Sequence, residues 1–153
     1  MKSKFYQLLC VLAFTFNGTA YASEGWNFAL IGGPGTEVPG TQWIPGESLF
    51  PVYGIAAGYL FPSRYEIGAE FEMTGTVPTF GIDGNYYFTH EIFAGVQFGA
   101  DFTTFSEVYL GPQLGFDYVI SPGITIGPEL QYLYIFKEGG GLLEILGSLK
   151  FFF

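Results

Sequence analysis

The sequence predicts an all-β protein, an eight-stranded antiparallel up-and-down transmembrane β-barrel, on three observations. Apolar and polar side chains alternate with a period of two along most of the chain. Only 12% of the 153 residues are charged while 20% are aromatic, whereas a typical soluble domain carries about 25% charged residues. Beyond the N-terminal segment, no apolar run reaches the roughly 18 residues that a membrane helix needs. Strand periodicity with few charges is typical of a membrane barrel.

The N-terminal segment has the pattern of an export signal. Lys2 and Lys4 precede the apolar stretch FYQLLCVLAFTF, and Ala20 and Ala22 supply the small-x-small pattern that a signal peptidase recognises. We therefore expect residues 1–22 to be a cleaved signal peptide and residues 23–153 to form the barrel. Cys10 is the only cysteine in the chain. Because it lies within the signal, the mature chain is expected to have no disulfide and no thiolate metal site.

Eight stretches of about ten residues show the alternation, and YEIGAEFEMTG is the clearest. Its odd-numbered positions from Tyr65 to Met73 are apolar, and Glu66, Glu70 and Glu72 lie on the other face. Alternation this strict predicts a strand between two unlike environments. Three connections are expected to be tight turns, at residues 62–64, 89–91 and 121–123. The other four connections are expected to be looser, and the longest is the Gly- and Pro-rich segment 32–48, which contains Trp43.

The glycines indicate which face of the sheet is inside. A soluble barrel would place apolar residues inside, and a membrane barrel reverses this arrangement. Gly54, Gly68 and Gly95 share a face with the charged residues, and small residues beside long polar ones suit a crowded lumen. A soluble surface would also need Lys and Arg, yet only three follow the signal peptide: Arg64, Lys137 and Lys150. We therefore expect the apolar face to contact lipid, in a closed barrel without unpaired edges.

The alternation places one cation and eight carboxylates in the lumen: Glu66, Glu70, Glu72, Asp83, Asp101, Asp117, Glu129, Glu144 and Lys150. Unpaired charges are costly in a confined space of low dielectric constant. With so few cations, we expect that the chain cannot pair these acids. Two arrangements remain open: a sealed polar core of partly protonated acids, or a lumen with water and cations and a weak cation preference if a path is continuous.

The chain ends LLEILGSLKFFF, in which Leu149, Phe151 and Phe153 share the outward face of the last strand. Here the sequence resembles the bacterial outer-membrane barrel family, whose last strand ends in an aromatic residue that the barrel-assembly machinery reads. It is most similar to the small OmpA/OmpX type, without a peptidoglycan-binding domain. The resemblance implies an assembly signal at these three residues. It also implies a location in the outer membrane of a Gram-negative bacterium, in contact with membrane lipid and lipopolysaccharide.

The composition and the predicted topology exclude or disfavour several classes of function. Nucleic acid is excluded as a partner because no basic patch is available to neutralise phosphates. Some eight-stranded outer-membrane barrels modify lipid A through a histidine near the outer surface, but His90 lies in a turn that strand counting places in the periplasm. We therefore expect no catalytic residue, cofactor or metal ligand. The favoured role is structural or surface interaction, with a ligand contacted through the first loop. A narrow, weakly cation-preferring channel is the alternative, and a lipid-modifying enzyme is less favoured.

Overall fold

The computed structural model describes residues 24–38, 49–102, 107–137 and 139–153. These residues form nine β-strands: β1 (Gly25–Val38), β2 (Leu49–Leu60), β3 (Tyr65–Thr74), β4 (Val77–Tyr87), β5 (Ile92–Asp101), β6 (Val108–Phe116), β7 (Tyr118–Ser121), β8 (Ile124–Ile135) and β9 (Gly140–Phe152). Within the same ranges, no helix is long and apolar enough to cross a membrane. The expected signal peptide, with Ala20 and Ala22, and the part of the first loop that contains Trp43 lie outside the described residues.

The strands close into a barrel. Each pairs antiparallel with its neighbour in sequence, from β1 through to β6, and β9 pairs with both β8 and β1. Both β6 and β7 pair with β8, so they are two parts of one barrel strand. The predicted eight-stranded antiparallel up-and-down barrel is therefore confirmed. Closure satisfies the backbone groups that an open sheet edge would leave unpaired in lipid.

The strand formed by β6 and β7 is interrupted at Asp117, where the sequence predicts a continuous strand. The backbone N–H of Asp117 donates to the carbonyl of Glu91 at 2.6 Å. Asp117 is fully buried. Gly127 lies next to this break on β8. A Cβ atom at Gly127 would lie 1.4 Å from the carbonyl oxygen of Phe116. The close approach of the two backbones therefore requires glycine at that position.

The two ends of the barrel differ in their connections. Residues 61–64, 88–91 and 122–123 connect strands at one end, where Gly25 at the start of β1 pairs with Leu60 and β9 ends at Phe152. We call this the turn end and the opposite one the loop end. The expectation of a loose β3–β4 connection at the loop end is wrong, because Gly75 and Thr76 form a two-residue turn. Gly75 has φ +63°, a left-handed conformation that glycine adopts without strain and that permits so short a turn.

The outward side chains are apolar and exposed. Ile67, Val96 and Ile145 are 62%, 57% and 56% exposed, although hydrophobic residues of a soluble protein would be turned to the core. Aromatic pairs lie near both ends of the barrel: Trp26–Tyr59, Tyr59–Phe61, Tyr65–Tyr86 and Tyr86–Phe88 at the turn end, and Tyr134–Phe136 and Phe71–Phe102 at the loop end. An apolar band between two aromatic belts is the outer surface of a membrane barrel.

Candidate functional site

The lumen is filled by long side chains that lie over inward glycines. A Cβ atom at Gly115 would approach the ring of Phe93 to 2.2 Å, and one at Gly99 would approach the hydroxyl of Tyr109 to 2.3 Å. The glycines therefore provide the space that these side chains occupy across the strands. This is the arrangement that the shared face of glycines and polar residues predicts for a small barrel.

An apolar plug closes the turn end of the lumen. It consists of the buried side chains of Leu60, Tyr87, Phe93 and Phe152. Phe93 is only 1% exposed. Tyr87 and Phe93 are not among the predicted lumen residues, although the alternation places both on the polar face. Large aromatic residues on a face otherwise made of glycine and polar residues are the signal that would have found the plug.

Lys150 lies beside the plug and has several partners. Its Nζ lies 3.0 Å from Asp117 Oδ2, donates to the Tyr87 hydroxyl at 3.1 Å, and lies 4.4 Å from the centroid of the Phe93 ring. The Tyr87 hydroxyl is also within hydrogen-bond distance of Asp117 Oδ2 (2.7 Å) and Glu66 Oε2 (2.9 Å). The expectation that no lumen acid finds a cation is therefore wrong for Asp117. Attraction to both a carboxylate and aromatic rings offsets the cost of burying the ammonium group.

Amide side chains link the middle of the lumen. The Asn85 amide donates to Asp83 Oδ2 at 2.8 Å and accepts a hydrogen bond from the Gln113 amide at 2.6 Å. Further toward the loop end, the Gln131 amide donates to Glu144 Oε2. A cavity of about 30 Å³ lies among Glu70, Asp83, Glu129 and their neighbours, which is room for about one water molecule. The middle of the lumen is thus a packed polar core.

The structure places all nine predicted lumen residues on the inner side of the sheet. Seven of them are buried: Glu66, Glu70, Glu72, Asp101, Asp117, Glu144 and Lys150. Asp83 and Glu129 are half-buried. They do not converge on one point, since Asp101 lies near the loop end and Asp117 beside the plug. Within the described residues, no group of three or more histidine, cysteine, aspartate or glutamate side chains could hold a metal ion.

The other predicted residues lie at the turn end. His90 is exposed in the turn between β4 and β5, at the same end of the barrel as the start of β1 and the end of β9. Leu149 and Phe151 are half-buried on the outward face of β9, and Phe153 is 82% exposed. The backbone N–H of Phe153 donates to the carbonyl of Trp26 at 2.9 Å. The last residue is therefore paired to β1, and its side chain points out of the barrel.

A larger cavity of about 630 Å³ opens at the loop end. We call it the vestibule. Its walls combine acidic, apolar and hydroxyl side chains, including Glu37, Phe50, Thr79, Asp101, Glu107 and Leu142. On its lumen side lies a second buried apolar cluster, formed by Tyr109, Leu133 and Ile135, with Leu142 packed against it. The sequence predicts a ligand at the first loop but does not predict this cavity, because its walls come from eight different strands.

No family model matches the chain, and no curated protein matches it. Among solved structures, it is similar to Neisserial surface protein A, with a TM-score of 0.60 and 14% identity over 84% of this chain and 97% of that one. It is also similar to Ail, the attachment invasion locus protein of Yersinia pestis, solved in complex with the heparin analogue sucrose octasulfate. That match has a TM-score of 0.52 and 12% identity over 84% of this chain and 100% of that one.

Proposed function

From the fold of a small outer-membrane barrel, which these similarities show, we propose that the chain is an integral outer-membrane protein that acts at the cell surface through its loop end. In this proposal the barrel neither catalyses a reaction nor transports a solute. The observation that carries the proposal is the apolar plug of Leu60, Tyr87, Phe93 and Phe152. A barrel of eight strands has an interior just wide enough for side chains to fill. A filled and plugged lumen leaves the loop end as the part available for recognition.

The shape of the loop end supports a role in surface interaction. It carries the longest connection and the vestibule, whereas the turn end carries connections of four residues or fewer. The two similar structures are a surface protein and an attachment protein by name. Ail was solved with a polyanion. The described part of the loop end here has Glu37, Asp101 and Glu107 beside a single cation, so a polyanion does not fit this chain.

A narrow, weakly cation-preferring channel is the alternative. The half-buried carboxylates of Asp83 and Glu129 favour it, because acidic side chains along a pore attract cations. The plug opposes it, since ions would have to pass buried aromatic rings. A lipid-modifying enzyme is disfavoured because His90 lies at the turn end, away from the vestibule. The proposal therefore assigns no catalytic residue, cofactor or metal.

The outward face of the barrel has the chemistry expected for contact with the components of an outer membrane. The apolar band between aromatic belts would contact outer-membrane lipid and lipopolysaccharide. We propose that Leu149, Phe151 and Phe153 present the assembly signal to the barrel-assembly machinery. Deletion of Phe153 is then expected to leave unassembled protein in the periplasm while refolding in detergent is nearly unchanged. Normal surface levels of the truncated protein would contradict this assignment.

Cysteine labelling on intact cells tests the location and orientation together. The chain has no cysteine after Cys10, so a single introduced cysteine reports without background once the signal is removed. We expect Thr76→Cys, in the β3–β4 turn, to react with a membrane-impermeant maleimide on intact cells. The matched control Ser63→Cys, in the β2–β3 turn, should react only after the outer membrane is opened. Labelling of Ser63→Cys alone on intact cells would overturn the orientation.

A further inference from the structure

We propose that the vestibule binds small amphipathic cations, meaning molecules with an ammonium group attached to an apolar body. The proposal deepens the surface role by naming a ligand class for the loop end. It rests on the proposed function in one respect, namely that the vestibule faces the outside of the cell and receives its ligand from there. The binding itself follows from the size, walls and charges of the cavity.

The size and walls of the vestibule suit a small organic molecule. Its volume of about 630 Å³ lies within the range of about 300–1,000 Å³ found for small-molecule pockets. Val38, Phe50, Val77 and Leu142 contribute apolar surface to its walls. Val38 is only 7% exposed, so neighbouring atoms cover most of its surface. An apolar body placed here would remove its surface and that of the walls from water.

The charges of the vestibule are all of one sign. Three carboxylates line it: Glu37 on β1, Asp101 on β5 and Glu107 just before β6. Among the described residues that line the cavity, there is no lysine or arginine. The only cation in the sequence of the four loop-end connections is Lys137, which does not line the cavity. A cleft with apolar walls concentrates the field of such carboxylates, so it attracts cations and repels anions.

Two other ligand classes fit less well. A divalent metal ion needs several oxygen ligands at close range, and the described residues contain no group of three or more candidate ligands. A purely apolar molecule would bring no positive charge to the carboxylates of Glu37 and Glu107, which are at least partly exposed to solvent. Tyr109, Ile135 and Leu142 come from three adjacent strands and line the cavity as part of a buried apolar cluster. An apolar body can therefore pack against this wall.

Fluorine NMR on protein in phosphatidylcholine nanodiscs tests the proposal. The probe is 4-(trifluoromethyl)benzylammonium, and its matched anion is 4-(trifluoromethyl)benzoate, of nearly the same shape. We expect saturable binding of the cation and none of the anion, with empty nanodiscs as the background. Raising the salt concentration should weaken the binding of the cation because the carboxylates at the cavity mouth are screened.

The double variant Glu37→Gln with Glu107→Gln should bind the cation about three- to tenfold more weakly, as expected for two partly exposed ion pairs. The control Glu24→Gln with Glu91→Gln removes two carboxylates from the turn end and should bind as the parent does. Equal binding of cation and anion would overturn the proposal, and so would unchanged affinity in the vestibule variant. Neither result would affect the labelling of Thr76→Cys, so failure here is distinguishable from failure of the proposed function.

Discussion

The two ends of the barrel differ in how their charged side chains are placed. At the turn end, the ammonium group of Lys150 lies between Asp117 and the ring of Phe93, beneath an apolar plug. At the loop end, Glu37, Asp101 and Glu107 line an open cavity of about 630 Å³ with no cation in its described lining. The turn end differs because the polar face carries Lys150 there, together with the aromatic residues of the plug. One end pairs its lysine with a buried carboxylate, whereas the other has the carboxylates of Glu37 and Glu107 at least partly exposed to solvent.

Removal of the ammonium group is expected to have the largest effect. Lys150→Met leaves the buried carboxylate of Asp117 without its cation, which costs about 3–5 kcal/mol for a buried pair. The free energy of unfolding, from urea titration in detergent micelles, measures this loss. Lys137→Met is the matched control at the loop end. Because Lys137 is exposed in a turn, its replacement should change the free energy of unfolding by less than about 0.5 kcal/mol.

A second substitution separates the lost pair from lost packing. The double variant Lys150→Met with Asp117→Asn should recover part of the stability, because no uncompensated carboxylate then remains beside the plug. The coupling energy of the double-mutant cycle measures the interaction directly. Equal losses in the single and double variants would show that the loss in Lys150→Met does not come from an uncompensated carboxylate at Asp117.

An added methyl group under the plug should have an intermediate effect. Gly115→Ala would place a Cβ atom 2.2 Å from the ring of the buried Phe93, and overpacking of this kind costs about 1–3 kcal/mol. Gly84→Ala is the control, since no atom lies within 4 Å of its Cβ position. Unfolding titrations of the two variants compare them. An equally stable Gly115→Ala variant would mean that the plug is loosely packed.

The carboxylates of the vestibule should matter least for stability. Replacement of Glu37 and Glu107 by glutamine should change the free energy of unfolding by about 0.5 kcal/mol or less, because both side chains are at least partly exposed to solvent. The same unfolding titration measures the change. A loss as large as that in Lys150→Met would show that the loop end is also held together by ion pairs, and the contrast between the two ends would fail.

The barrel itself could be predicted from the sequence because alternation with a period of two reports directly on two unlike environments. The glycines on the polar face likewise indicate which side of the sheet faces the crowded lumen. The pairing of Lys150 with Asp117 could not be predicted. The two residues are 33 positions apart, and they meet only through the stagger of the closed sheet and the break between β6 and β7. The vestibule was missed likewise, since its carboxylates come from separate strands and have no common spacing.

Ion conductance in planar lipid bilayers tests the central claim most directly, namely that the lumen is plugged at the turn end. The account predicts no steady conductance through the purified barrel in potassium chloride at either polarity. A reproducible cation-selective conductance, lost when Glu70 and Glu129 are both replaced by glutamine, would contradict it and would establish a path along the lumen acids.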